Sequence, residues 1–355
     1  MDIAAPEAVG QHTAPLVFSG KGSEYFGIWI VNLVLTILTL GIYSAWAKVR
    51  RLQYFYRNTS LAGSSFDYHG PPLAILKGRI IAFTLLVLYN FAGHFNSVLG
   101  LTVFAVLACV LPWLMLRSLR FRLYNSSYRG LRFSFHGTLG ESYAVFLLLP
   151  LATFFTLYLL GPVWHQQLKR YQHNNAHYGR TGFGFDAPVG AFYKIWLKAA
   201  GLFLGAALLL GVAAASVVPG LARALPQGPE AKALLVLVPM LIVATLFLLS
   251  LLIAPYVAAR LQNLVWNHTT LGAHRFVSRV SARTLFFITL TNLLGIVLTL
   301  GLYRPFAVVR ALKYRTESIA LVAADDLAGF VAGQEQAVGA AGEEAADMFD
   351  VDIAL

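Results

Sequence analysis

The sequence predicts an all-α polytopic membrane protein of about seven apolar segments, built from five related units in a short-long-short-long-short order. Three observations carry this expectation. Hydrophobic residues make up 58% of the 355-residue chain and charged residues only 12%, about half the charged share of a soluble domain. The hydrophobic residues gather into stretches of roughly the 20 residues that a helix needs to cross a hydrocarbon core, at about 26–47, 80–93, 98–116, 143–164, 195–217, 233–255 and 284–303. The chain also repeats itself. "LTLGIYSAWAKVR" at 38–50 returns as "LTLGLYRPFAVVR" at 298–310, with eight of thirteen positions identical and no gap.

Residues 1–15 are polar with no basic run, and the first apolar run is too long for a signal-peptide core, so no cleavable signal is predicted. Residues 16–316 form the repeat-built transmembrane domain. Each unit opens on an alternating pair followed by a small residue: Leu16-x-Phe18-x-Gly20, Phe66-x-Tyr68-x-Gly70, Phe133-x-Phe135-x-Gly137, Phe183-x-Phe185-x-Ala187 and His274-x-Phe276-x-Ser278. Alternation with period two reads as a short strand-like turn at the cytoplasmic interface. Four residues on, Glu24, Ala74, Glu141, Ala191 or Ala282 falls in the first helical turn, where an acid suits the helix dipole. Each apolar stretch then closes on aromatic and basic residues, as in Trp46…Arg50 and Trp113…Arg117. Residues 317–355 hold nine acids and no Lys or Arg, the composition of a mostly flexible cytoplasmic tail. Its last apolar residues, Met348, Phe349, Val351, Ile353 and Leu355, are candidates for docking.

Two topologies compete. Seven simple spans place the basic loops at 165–194 and 256–283 opposite the equally basic loops at 48–78 and 117–142, against the positive-inside tendency. If every strand signal is cytoplasmic, only 94–97 and 218–232 face the periplasm and the short units are re-entrant. Gly41, Pro150 with Gly161, and Gly295 with Gly301 are then the helix breakers. Both arrangements leave the C-terminus cytoplasmic.

Residues 1–316 carry 27 basic and seven acidic side chains, a balance of +20. Such a body suits anionic lipid headgroups; nucleic acid is excluded because the charge is spread among loops between membrane segments. Tyr43, Trp46, Trp113 and Tyr303 with Arg50, Arg117 and Arg310 lie where apolar runs meet basic residues. They read as an interfacial aromatic belt or as a lipid or anion site. Asn32, Thr39, Asn292 and Thr299 are intramembrane polar residues, either glue between helices or the lining of a solute path. His165, His173 and His177 have helical spacing without a nearby carboxylate, so no metal is assigned. The lone Cys109 excludes an intrachain disulfide. No catalytic motif or cofactor site is found, and the expected function is non-enzymatic: a basic cytoplasmic belt binding anionic lipid or a membrane partner. A small-solute transporter or channel, and a lipid-acting membrane enzyme or membrane-protease partner, are the alternatives.

The arrangement Asn32…Thr39-Leu40-Gly41…Tyr43…Ala47…Val49-Arg50, seen again from Asn292 to Arg310, resembles the YjgN-like bacterial inner-membrane proteins. So do "VFSGKGSEYFGIWIVN" and "NTSLAGSSFDYHG". The resemblance covers about residues 15–320. It implies a multi-pass protein of the bacterial inner membrane with a cytoplasmic C-terminus, in a family classed as a domain of unknown function. Frequent genomic neighbourhood makes an M48-type metallopeptidase the partner it implies.

Overall fold

The computed structural model describes residues 12–224, 229–324 and 329–334. It corrects the all-α expectation: ten strands among these residues close an antiparallel barrel. The strand signals fall in β1 (His12–Phe18), β3 (Ser64–Tyr68), β5 (Leu131–Phe135), β7 (Thr181–Phe185) and β9 (His274–Ser278). Their partners are β2 (Thr59–Leu61), β4 (Ser126–Tyr128), β6 (Ala176–Tyr178), β8 (Thr269–Leu271) and β10 (Ile319–Ala323). Four two-residue turns join them into hairpins. Ala62-Gly63 and Arg129-Gly130 have positive φ at both residues, whereas Gly179 and Gly272 supply it at the first, the backbone that twisted antiparallel strands require. The last partner, β10, lies within the stretch assigned from sequence to the acidic tail. It pairs with β1 from His12↔Ala323 to Pro15↔Ala320 and closes the barrel. The rest of the tail, with its apolar end, lies largely outside the described residues.

Every pair of helices leaves the barrel and returns to it. Three pairs are short: α1 (Gly22–Leu38) with α2 (Ser44–Arg57); α5 (Leu139–Tyr143), a π turn (Ala144–Leu148) and α6 (Leu149–Phe155) with α7 (Gly161–Asn174); and α10 (Ala282–Leu298) with α11 (Arg304–Glu317). Two are long: α3 (Pro72–Phe95) with α4 (Ser97–Tyr124), and α8 (Val189–Ala224) with α9 (Pro229–Asn267). The long pairs supply the four helices long and apolar enough to cross a membrane, and the three shorter apolar helices complete the seven apolar segments. Each returning helix meets the outgoing helix of the next pair, and α11 meets α1, so the five pairs form a ring.

The repeated Thr-Leu-Gly is the turn of a short pair. Thr39 Oγ1 donates to the Leu35 carbonyl at 2.7 Å and accepts the Tyr43 N–H at 2.9 Å; Thr299 does the same with Gly295 and Tyr303. Leu40 and Gly41 have φ of 49° and 92°, and Leu300 and Gly301 have 50° and 95°. Gly41 and Gly301 are therefore breakers, as the sequence indicated. The middle pair turns instead at Leu157 and Tyr158, with φ of 50° and 66°. There Gly161 begins the returning helix, and Pro150, in the first turn of α6, follows the π turn rather than breaking the run. Gly295 breaks nothing: it lies within α10, where a Cβ would come 2.6 Å from the Tyr303 ring.

The alternating pairs occupy two levels of the barrel. Leu16, Phe66, Phe133, Phe183 and Phe276 line the interior, with Phe133 6.5 Å from Phe66 and 6.4 Å from Phe183. Phe18, Tyr68, Phe135 and Phe185 lie at the junction with the helices, against Phe55, Tyr56, Tyr171 and Phe192. The small residue that follows admits the ring: a Cβ on Gly20 would lie 2.6 Å from Phe18 Cζ. In the fifth unit the register is two residues later than the sequence pattern indicated. The strand-to-helix bond made by Ser19, His69, His136 and Asp186 is made there by Arg279, to the Ser318 carbonyl, so Ser278 holds the place of the second aromatic.

Valine at Gly41 or Gly301 puts a branched side chain at strongly positive φ and should cost about 1–2 kcal/mol. Alanine at Gly27, whose Cβ would meet nothing within 4 Å, should be neutral or stabilising by up to about 1 kcal/mol. Thermal unfolding of the purified variants in one detergent measures both.

Candidate functional site

The predicted aromatic and arginine residues lie on the returning helices, in separate places around the ring. Arg50 Nη1 donates to the Tyr43 hydroxyl at 3.0 Å, and the Tyr43 and Trp46 rings stack. Arg310 Nη1 donates to Thr291 Oγ1 at 2.8 Å, and Tyr303 stacks on Phe306. Arg50 is thus held at the start of its own returning helix, whereas Arg310 ties α11 to α10. Arg117 differs. It lies 5.4 Å over the Trp113 ring and lines a pocket of about 490 Å³ between α4 and β5, with Arg120, Phe121, Tyr124, Ser134 and Phe135. Arg120 Nη2 donates to the Gly137 carbonyl at 2.9 Å, and Arg132 sits 4.8 Å over the Tyr124 ring. Two guanidinium groups thus line one aromatic-walled pocket, and a third lies over Tyr124, one of its walls.

The polar residues predicted to lie within the membrane bond within their own helix pairs. Asn32 Nδ2 donates to the Ala47 carbonyl at 3.5 Å and Asn292 Nδ2 to the Ala307 carbonyl at 3.1 Å. Thr39 and Thr299 cap the turns.

A second basic group was not singled out from sequence. Arg79 on α3 donates to Ser44 on α2, one helical turn from Lys48. Arg122 at the end of α4 and Lys169 on α7 lie near enough to interact electrostatically, and burial followed by Arg122 lowers the pKa of Lys169. The three ion pairs among the described residues, Lys21–Glu24, Arg57–Asp67 and Lys313–Glu317, involve none of these cations. The available signal was basic residues within helices, three of them on returning helices (Lys48, Arg122 and Lys169) and Arg79 on the outgoing α3.

The three histidines diverge. His165 packs on Phe192 and Trp196, His173 on Phe185 and Trp266, and His177 stacks on His136 at 4.3 Å. No cluster of three metal-ligating side chains occurs among the described residues. Burial, then Lys169, push the His173 pKa down to about 4.

A closed barrel rooting a ring of helix pairs, four of whose helices are long and apolar enough to cross a membrane, defines the class as a membrane protein that combines helices with a β-barrel. The chain belongs to a family described as "Bacterial protein of unknown function (DUF898)", whose profile matches residues 13–348. It is similar to "Inner membrane protein YjgN" of Salmonella typhimurium, 31% identical over 150 residues, which cover 42% of this chain and 38% of that one. To the protein of the same name from Escherichia coli K12 it is 30% identical over 141 residues, covering 38% of this chain and 34% of that one. The matched part thus spans little more than a third of the length of these relatives. No solved structure matches the chain. The inner-membrane relatives and the four apolar helices support placement in the inner membrane.

The low pKa of His173 sets a pH dependence. As pH falls, the unfolded chain takes up this proton first, near 6.5, whereas the folded chain resists until about 4. The stabilisation is complete above pH 6.5 and is lost as pH falls to about 4, by at most about 3 kcal/mol. Melting temperature against pH should fall less steeply across that window for His173→Gln than for the unaltered protein.

Proposed function

We propose that this is a non-enzymatic inner-membrane protein whose basic, barrel-proximal face binds anionic lipid headgroups. The pocket framed by Arg117, Arg120 and Arg132 carries the reading: guanidinium groups beside Trp113 and Tyr124 suit a phosphate at the membrane interface. In this arrangement the two long pairs cross the bilayer and the three short pairs enter and return. The barrel, the basic loops and the C-terminus then share the cytoplasmic side, in keeping with the positive-inside tendency. The exposed tips support re-entry: Leu40 and Leu300 are each 95% exposed and Leu157 is 87% exposed, apolar surface that lipid would cover. A 17-residue helix such as α1 is about 25 Å long, short of a hydrocarbon core of about 30 Å.

A solute path is supported less well. The barrel interior is walled by aromatic and aliphatic side chains, and the Asn and Thr residues offered as a polar lining bond within their own helix pairs.

Replacing Arg117, Arg120 and Arg132 together by alanine should weaken binding to phosphatidylglycerol nanodiscs roughly 100-fold, at about 1 kcal/mol per cation, with little change on phosphatidylcholine. Unchanged affinity would sink the reading. For topology, cysteines at Asn174 and Ala273 in a Cys109→Ser background should resist an impermeant thiol reagent in intact cells. A cysteine at Val98, in the first turn of α4 beside the connection from α3, should label; the reverse pattern counts against re-entry.

A further inference from the structure

The barrel interior is not completely filled. Near its hairpin-turn end lies an apolar cavity of about 190 Å³, walled by Phe133, Phe183, Trp266, Phe276, Leu321 and Phe330 among others. The two tyrosines in the wall direct their hydroxyls elsewhere: Tyr128 donates to the Leu61 carbonyl at 2.7 Å and Tyr178 to the Tyr128 carbonyl at 3.1 Å. An apolar cavity of this order offers water no partners, stays dry and accepts a hydrocarbon group.

Its outer end is covered by a helical turn over 329–334. Phe330 sets its ring 4.6 Å from His274 and 6.4 Å from Tyr178, and Val331 is buried. Gln334 Oε1 accepts the Arg180 backbone N–H at 2.9 Å. Two apolar side chains and this hydrogen bond therefore cap the chamber. The turns beside the cap carry Arg129 and Arg180. Arg129 is tied to Ser64 Oγ at 3.0 Å; Arg180 is exposed. A dry apolar chamber with a cation at its rim has the two parts needed to hold an anionic amphiphile: walls for the chain and a charge for the head.

We propose that the barrel chamber binds the hydrocarbon chain of an anionic amphiphile, a free fatty acid or an acidic membrane lipid, with its head at Arg180 and the Phe330–Val331 turn as the displaceable cap. This site is separate from the headgroup pocket between α4 and β5, and either can fail without the other.

Trp266 in the wall allows a direct test, because bromine quenches tryptophan fluorescence at contact. The full chain in nanodiscs of unbrominated lipid is titrated with 8-bromooctanoate, beside Trp266→Phe. Quenching should saturate and vanish in Trp266→Phe, and Arg180→Glu should weaken binding by about fivefold or more. A parallel sample in nanodiscs of brominated phosphatidylglycerol, with no added fatty acid, distinguishes the sources. Quenching specific to Trp266 there assigns a bilayer lipid; silence there with saturable quenching by the free acid assigns a soluble one. Silence in both, or linear quenching equal in Trp266→Phe, overturns the site. Equal binding of neutral 8-bromooctanol, or no effect of Arg180→Glu, overturns the anionic head.

Discussion

The pairing of β1 with β10 is the interaction on which the architecture depends. Four of the strands have only three residues, too few to hold a sheet with open edges. Each is stable because both sides of its backbone are satisfied, and that requires a closed circuit. Once closed, the barrel fixes five exit points, and each exit launches a helix pair whose returning leg packs against the next pair. The spacing of the helix pairs is thus set at the barrel, by backbone hydrogen bonds between its strands.

The helices were legible because hydrophobic periodicity and length are local properties. The odd strands were legible too, since pairs such as Phe66-x-Tyr68 alternate within three residues. Their three-residue partners were not: Thr59–Leu61 and Ser126–Tyr128 are too short to show a period, and the all-α expectation followed. A signal was present in Ala62-Gly63, Arg129-Gly130, Gly179-Arg180 and Gly272-Ala273, each a two-residue turn between short β-prone runs. The fifth unit misled because His274 and Phe276 imitate an aromatic pair, and only the bond from Arg279 to Ser318 fixes the register.

At the candidate sites, sequence pattern located residues better than it assigned their roles. Arg50, Arg117 and Arg310 share a position on their helices, yet two are used within helix pairs and one faces a pocket. The difference arises from neighbours distant in sequence: Thr291 lies 19 residues from Arg310, and Ser134 of the pocket comes from a strand beyond the hairpin turn. The repeated Thr residues fasten the turns at the tips of two short pairs, and the repeated Asn residues tie each outgoing helix to its returning one.

The position of the barrel's seam has a consequence for biosynthesis. The first and last of the described strands meet there, so a growing polypeptide can form its helix pairs one after another while the sheet remains an open arc. Throughout synthesis β1 presents an unpaired edge, and only when residues 319–323 leave the ribosome does its partner exist. The contact is almost as long-range as this chain permits, which places it late in folding and makes the nascent edge the step most exposed to mispairing. Loss of residues 319–323, at the start of the acidic tail, would remove one barrel strand and leave two open edges in the described barrel.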